Sequence, residues 1–121
     1  MPKRPLAPEL AIQAGFLSRL RYVAPAVHAF AIPNAAKRTV WAARQAQREG
    51  MKAGAPDVFA FWPGGSCWLE FKSPAGRVTE NQREFHERLA RCGQAVAVVR
   101  SVDEALGFIA RCGAPVMERA A

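Results

Sequence analysis

The stretch from Asp57 to Lys72 constrains the fold more than any other part of the chain. Two apolar, aromatic-rich runs, Asp57–Trp62 and Cys67–Lys72, flank Pro63-Gly64-Gly65. Such runs on either side of a short Pro-Gly-Gly segment predict a tight turn and an antiparallel hairpin. Gly54-Ala55-Pro56 breaks the chain just ahead of it. A two-stranded hairpin is barely stable alone in water, so the flanking segments must cover it.

Those segments read clearly. Pro8 to about Tyr22 predicts a helix, because Leu10, Ala14, Leu17 and Leu20 follow helical spacing, with Ile12 and Phe16 widening the arc. Pro25 ends it. Val27–Ile32 predicts a strand closed by Pro33-Asn34, and Ala36–Glu49 a second helix that stops at Gly50. Thr79-x-x-Gln82 is a capping box opening a helix to about Cys92, ahead of Gly93. The unbroken apolar run Ala95–Val99 predicts a fully buried strand. Ser101-x-x-Glu104, a second capping box, opens a last helix to about Cys112. The order α, β, α, β, β, α, β, α predicts a mixed sheet flanked by helices, a three-layer α/β sandwich. With 121 residues, the whole span 1–121 is one domain's worth of chain.

No apolar run approaches the ~20 residues that span a bilayer, and no apolar core follows the basic start, so neither a membrane partner nor a signal peptide is expected. Cys67, Cys92 and Cys112 form no CxxC pair, which argues against a zinc site. Three free thiols suit a reducing cytoplasm.

Charge narrows the partner. The net +7 lies entirely in residues 1–52, where nine basic side chains face two acids; residues 53–121 are balanced. Such asymmetry points to a polyanion. Arg44 and Arg48 are four residues apart and share one helix face, with Lys37, Arg38 and Lys52 near its ends, an arrangement suited to phosphates. Trp41, in the same helix, reads as a packing residue. His28, in the middle of its predicted strand, reads as structural.

The chemistry concentrates on the hairpin. Glu70 and Lys72 are two apart in a strand, so they project from one face roughly 6–7 Å apart. The hairpin brings Asp57 alongside. Two carboxylates set together repel unless a cation lies between them, and hard oxygen ligands suit Mg²⁺ or Mn²⁺.

Pro56-Asp57 followed by Glu70-Phe71-Lys72 resembles the PD-(D/E)xK nuclease motif. From about Glu9 to Ile109 the chain is similar to the stand-alone VRR-NUC (virus-type replication-repair nuclease) domains of phages and bacteria. Glu9 with Ile12-Gln13 resembles the family's first helix, and Phe30-x-Ile32-Pro33-Asn34 its first-strand ending. Gly50 and Gly54-x-Pro56-Asp57 resemble the turn before the motif. Gly76 and Gln82 resemble the approach to the next helix, and Val96–Ser101 with Glu104 the closing strand and helix. One departure is that Ala35 and Ala36 follow Pro33-Asn34, where the family often has glycine.

The resemblance implies a restriction-endonuclease-like fold and a metal-dependent DNA endonuclease acting on branched DNA such as Holliday junctions, as a homodimer. It assigns Asp57, Glu70 and the Phe71 carbonyl to the metal, with Glu9 completing the shell directly or through water. Lys72 would activate the attacking water or stabilise developing charge. Gln82 would hold Lys72 or the water, and Asn34 would touch DNA or simply start a turn. The rival readings are a non-catalytic nucleic-acid-binding module of the same fold and a protein-interaction subunit of a phage replication complex.

Overall fold

The computed structural model of the chain describes residues 6–33 and 39–117. Within them lie α1 (Pro8–Val23), β1 (His28–Ala31), α2 (Val40–Arg48), β2 (Val58–Trp62), β3 (Gly65–Phe71), α3 (Glu80–Arg91), β4 (Val96–Val99) and α4 (Val102–Arg111). The sheet order is β1-β2-β3-β4; the first three strands are antiparallel, and β4 runs parallel to β3. That change of direction follows from connectivity. Two residues join β2 to β3, whereas a helical crossover, α3, lies between β3 and β4.

Side chains alternate across the sheet, and the two faces have different company. Pairing sets Val58, Ala60 and Trp62 of β2 opposite Leu69, Cys67 and Gly65 of β3. With Phe71 and Val99 these form the inner face of the main core, closed by Phe16 and Leu20 of α1 and by Leu106 and Ile109 of α4. The Phe16 and Phe71 rings meet at 5.6 Å. Gly65 lies so close to the Trp62 indole that a Cβ there would come within 2.8 Å of it. The opposite face carries Phe59, Phe61, Trp68 and Glu70. There α3 brings His86 to Glu70, and its Phe85 borders a cleft with Trp68.

The hairpin, the mixed sheet and the helices on both faces follow the sequence reading. The Thr79 box is complete: Thr79 Oγ1 accepts from the Gln82 N–H (3.2 Å), and Gln82 Oε1 accepts from the Thr79 N–H (2.9 Å). Four details differ. The Ala95–Val99 run is not fully buried: β4 is a sheet edge, and only Val99 of the strand is buried. Ser101 caps α4 by accepting from the Glu104 N–H (3.0 Å), but Glu104 Oε2 accepts from the Arg100 N–H (2.7 Å) instead of closing the box. The second helix begins at Val40 behind a Thr39 cap (3.2 Å to the Ala42 N–H). Trp41 is 72% exposed, because α2 buries only Ala46. Asn34, Lys37 and Arg38 lie outside the described residues.

Candidate active site

Asp57 stands one residue ahead of β2. Pro56 before it is fully buried, and the Asp57 carbonyl accepts from the Ile32 N–H at 2.7 Å, so its backbone is fixed from both sides. Its Oδ2 accepts from the Phe71 N–H of the neighbouring strand at 2.7 Å. Register thus joins the Pro-Asp turn to the Glu-x-Lys strand through this hydrogen bond.

The loop ahead of Asp57 is held by Gly54. Its φ of +85° is a left-handed conformation, and a Cβ there would sit 2.3 Å from the Asn81 carbonyl oxygen. Only glycine lets this loop lie against the first turn of α3. The packing brings Asn81 and Gln82 to the wall of a cavity of about 520 Å³, which is also lined by Asp57, Glu70, Phe71, Lys72, Thr79 and, from α1, Glu9 and Gln13. The predicted residues Glu9, Asp57, Glu70, Phe71, Lys72 and Gln82 therefore border one space. Arg44, Arg48 and Lys52 are exposed and do not line it.

Electrostatics in the cavity are under tension. Glu70 is 1% exposed, and burial pushes its carboxyl upward against the opposing pull of Asp57 and Lys72. The Asp57 carboxyl is pushed up to about 7, first by burial, then by its hydrogen bond with Glu70 and the Glu70 charge; the Phe71 N–H and Lys72 oppose this. A hydrogen bond between two carboxyls requires a proton between them. Glu70 Oε1 is buried and makes no hydrogen bond. A pair of close carboxyls with an orphaned oxygen fits a divalent cation, which would replace the shared proton.

Among the described residues, no three His, Cys, Asp or Glu side chains are gathered to hold a metal by themselves. Mg²⁺ sites of the phosphate-handling kind use one or two carboxylates and take the remaining oxygens from water and substrate. Asp57 and Glu70 meet that requirement, and Glu9 lines the same cavity. Gln82 lines the cavity while serving as the capping-box partner that the sequence predicts. Its Oε1 is committed to the Thr79 N–H, and its remaining N–H donors suit a water or phosphate oxygen rather than the Lys72 ammonium, itself a donor.

Two residues at this site escaped the sequence reading. His86 of α3 places Nε2 3.5 Å from Glu70 Oε1. Its one signal is its position four residues after Gln82, on the same helix face. Arg100 Nη1 donates to the Ser73 and Gly76 carbonyls at 2.7 Å each and to that of Pro74 at 3.4 Å, pinning the loop that follows Lys72. No local pattern marks that contact, which spans more than twenty residues. His28 lies away from the cavity, exposed and stacked on Phe61 with centroids 5.1 Å apart.

No helix among the described residues is long and apolar enough to cross a membrane. Comparison with known proteins bears on the family and the fold. No curated protein sequence matches the chain. A solved structure described as a VRR_NUC domain protein shares the fold, with a TM-score of 0.69 and 20% identity over 91% of each chain. The VRR-NUC domain family matches residues 12–103, from α1 through the start of α4. With that match running through Asp57, Glu70 and Lys72, the chain belongs to the VRR-NUC family and is a nuclease-type domain.

Proposed function

We propose that the protein is a Mg²⁺- or Mn²⁺-dependent endonuclease that hydrolyses DNA phosphodiester bonds in structured or branched DNA, in phage or bacterial replication and repair in the cytoplasm. The observation that carries this reading is the Asp57–Glu70 pair: Asp57, tied by the Phe71 N–H, beside buried Glu70 with its orphaned Oε1, and Lys72 in the same cavity. When bound, the ion supplies Lewis acidity and neutralises phosphate charge. Asp57 and Glu70 would hold it, with the Phe71 carbonyl as a further candidate ligand and Glu9 completing the shell directly or through water. Lys72 is the cation of the cavity wall, suited to stabilise charge on the phosphate or to orient the attacking water. The Gln82 N–H donors serve the same oxygens. Exposed Arg44, Arg48 and Lys52 grip the backbone, as do Lys37 and Arg38.

A homodimer is part of the proposal. Among the described residues β1 is an edge of the sheet, and Phe30 (52% exposed) and, on β2, Phe61 (42% exposed) share one sheet face, an apolar surface suited to a second copy. The test incubates linear, nicked, flap and four-way DNA with the protein in Mg²⁺, Mn²⁺ or EDTA, alongside Asp57→Ala and Lys72→Ala. Cleavage of branched substrates that needs the metal and both side chains is the expected result. Cleavage surviving EDTA or both substitutions overturns the mechanism. Binding of every substrate without cleavage identifies a non-catalytic module instead.

A further inference from the structure

His86 is half-buried against the site, with its Nε2 fully buried, and has no part in the motif. Its side chain is 14% exposed and that of Glu70 1%, and their facing atoms, Nε2 and Oε1, lie 3.5 Å apart. Among the described residues, these are the two buried side-chain polar atoms without a hydrogen-bond partner. Two orphans in one structure, aimed at each other, are each costly alone and cheap together. The carrier is rigid. The first turn of α3 is fixed by the Thr79–Gln82 box and by the Gly54 loop packed on Asn81, and His86 follows one turn later.

We infer that His86 is a positioning residue for Glu70: its Nε2–H donates to Oε1 and turns the other carboxylate oxygen toward Asp57. A small closure from 3.5 Å brings the pair into hydrogen-bond range. The imidazole suits this role because a ring nitrogen can carry the one N–H that Oε1 needs, and Nε2 is the nitrogen turned toward it. Without the contact, a carboxylate that ionises on gaining a cation leaves Oε1 buried and unpaired, and can rotate away from Asp57. Partners of this kind contribute about 10–100-fold in metal affinity. The inference rests on the metal-dependent reading for its consequence, but the hydrogen bond itself does not.

The test has two arms on the full chain. Long-range ¹H–¹⁵N spectra of the wild type in EDTA read the His86 tautomer directly: a protonated Nε2 with bare Nδ1 is expected, and the reverse tautomer overturns the inference. Calorimetric Mn²⁺ titration without DNA then compares the wild type with three variants, each checked for a cooperative melt. His86→Ala and His86→Phe should weaken Mn²⁺ binding about tenfold or more, and His86→Gln, which keeps an N–H donor, should recover most of it. Phenylalanine restores the volume without the donor, so it separates packing from hydrogen bonding. Wild-type affinity in both His86→Ala and His86→Phe overturns the inference. A wild type that binds no Mn²⁺ strikes the metal reading instead, and the tautomer arm still decides the contact.

Discussion

Replacing Asp57 by asparagine should stabilise the metal-free protein, increasingly so as pH rises. The Asp57 carboxyl is pushed from its ordinary 3.8 up to about 7. In the unfolded chain it ionises near pH 4, whereas the folded protein keeps the proton to about 7. Between those limits the folded state binds more protons, so its stability falls as pH rises, and above 7 the loss is complete. Each pH unit of that window corresponds to ~1.4 kcal/mol, which sets an upper bound of about 4 kcal/mol; partial solvent access screens this to about 1–2 kcal/mol. Asparagine keeps an acceptor for the Phe71 N–H and a donor for Glu70 but cannot ionise. His86 acts oppositely, since its lowered pKa makes folding more favourable as pH rises through its unfolded value. The informative quantity is therefore the difference between Asp57→Asn and wild type at each pH, in which the His86 contribution largely cancels. Urea unfolding in EDTA at pH 5 and pH 8 should show that difference moving about 1–2 kcal/mol in the variant's favour. Saturating Mn²⁺ at pH 8 should reverse the order, because an ion at one hundred times its Kd adds about 2.7 kcal/mol to the wild type alone. A difference that is independent of pH, or that grows in the wild type's favour, refutes the assignment of a shared, destabilised proton.

Other outcomes follow from single contacts. Gly54→Ala should destabilise the fold by about 2–4 kcal/mol by chemical denaturation, through positive φ and the clash with Asn81, and should lower cleavage even when folded. Phe16→Ala, which opens the core against Phe71, should cost about 3–5 kcal/mol in the same assay. Charge reversal at Arg44 and Arg48 together should weaken DNA binding and flatten its salt slope by about two, with Mn²⁺ affinity unchanged by calorimetry. Lys72→Met should remove cleavage, measured on four-way DNA, while leaving the thermal melt within about 1 kcal/mol of the wild type, since the ammonium stands at the cavity wall.

Much of this was legible in the chain because its signals are local. Pro63-Gly64-Gly65 determined a hairpin, since a short glycine turn between apolar runs has few other solutions. The hairpin in turn set Asp57 beside Glu70, because period-two alternation and a short turn leave little freedom of register. Thr79 and Gln82 declared their helix start.

What tertiary structure decided are the contacts between segments far apart in sequence. Whether Ala95–Val99 is central or at an edge depends on what pairs with its far side, which no run of valines encodes. Gly54 resembles any loop glycine until the first turn of α3 lies against it. The strand placed Glu70 on the same face as Lys72, but α3 set His86 on its orphaned oxygen. Sequence therefore named the carboxylates and lysine by covalent spacing. Their protonation, and the histidine that faces them, come from desolvation and from contacts between elements brought together in space.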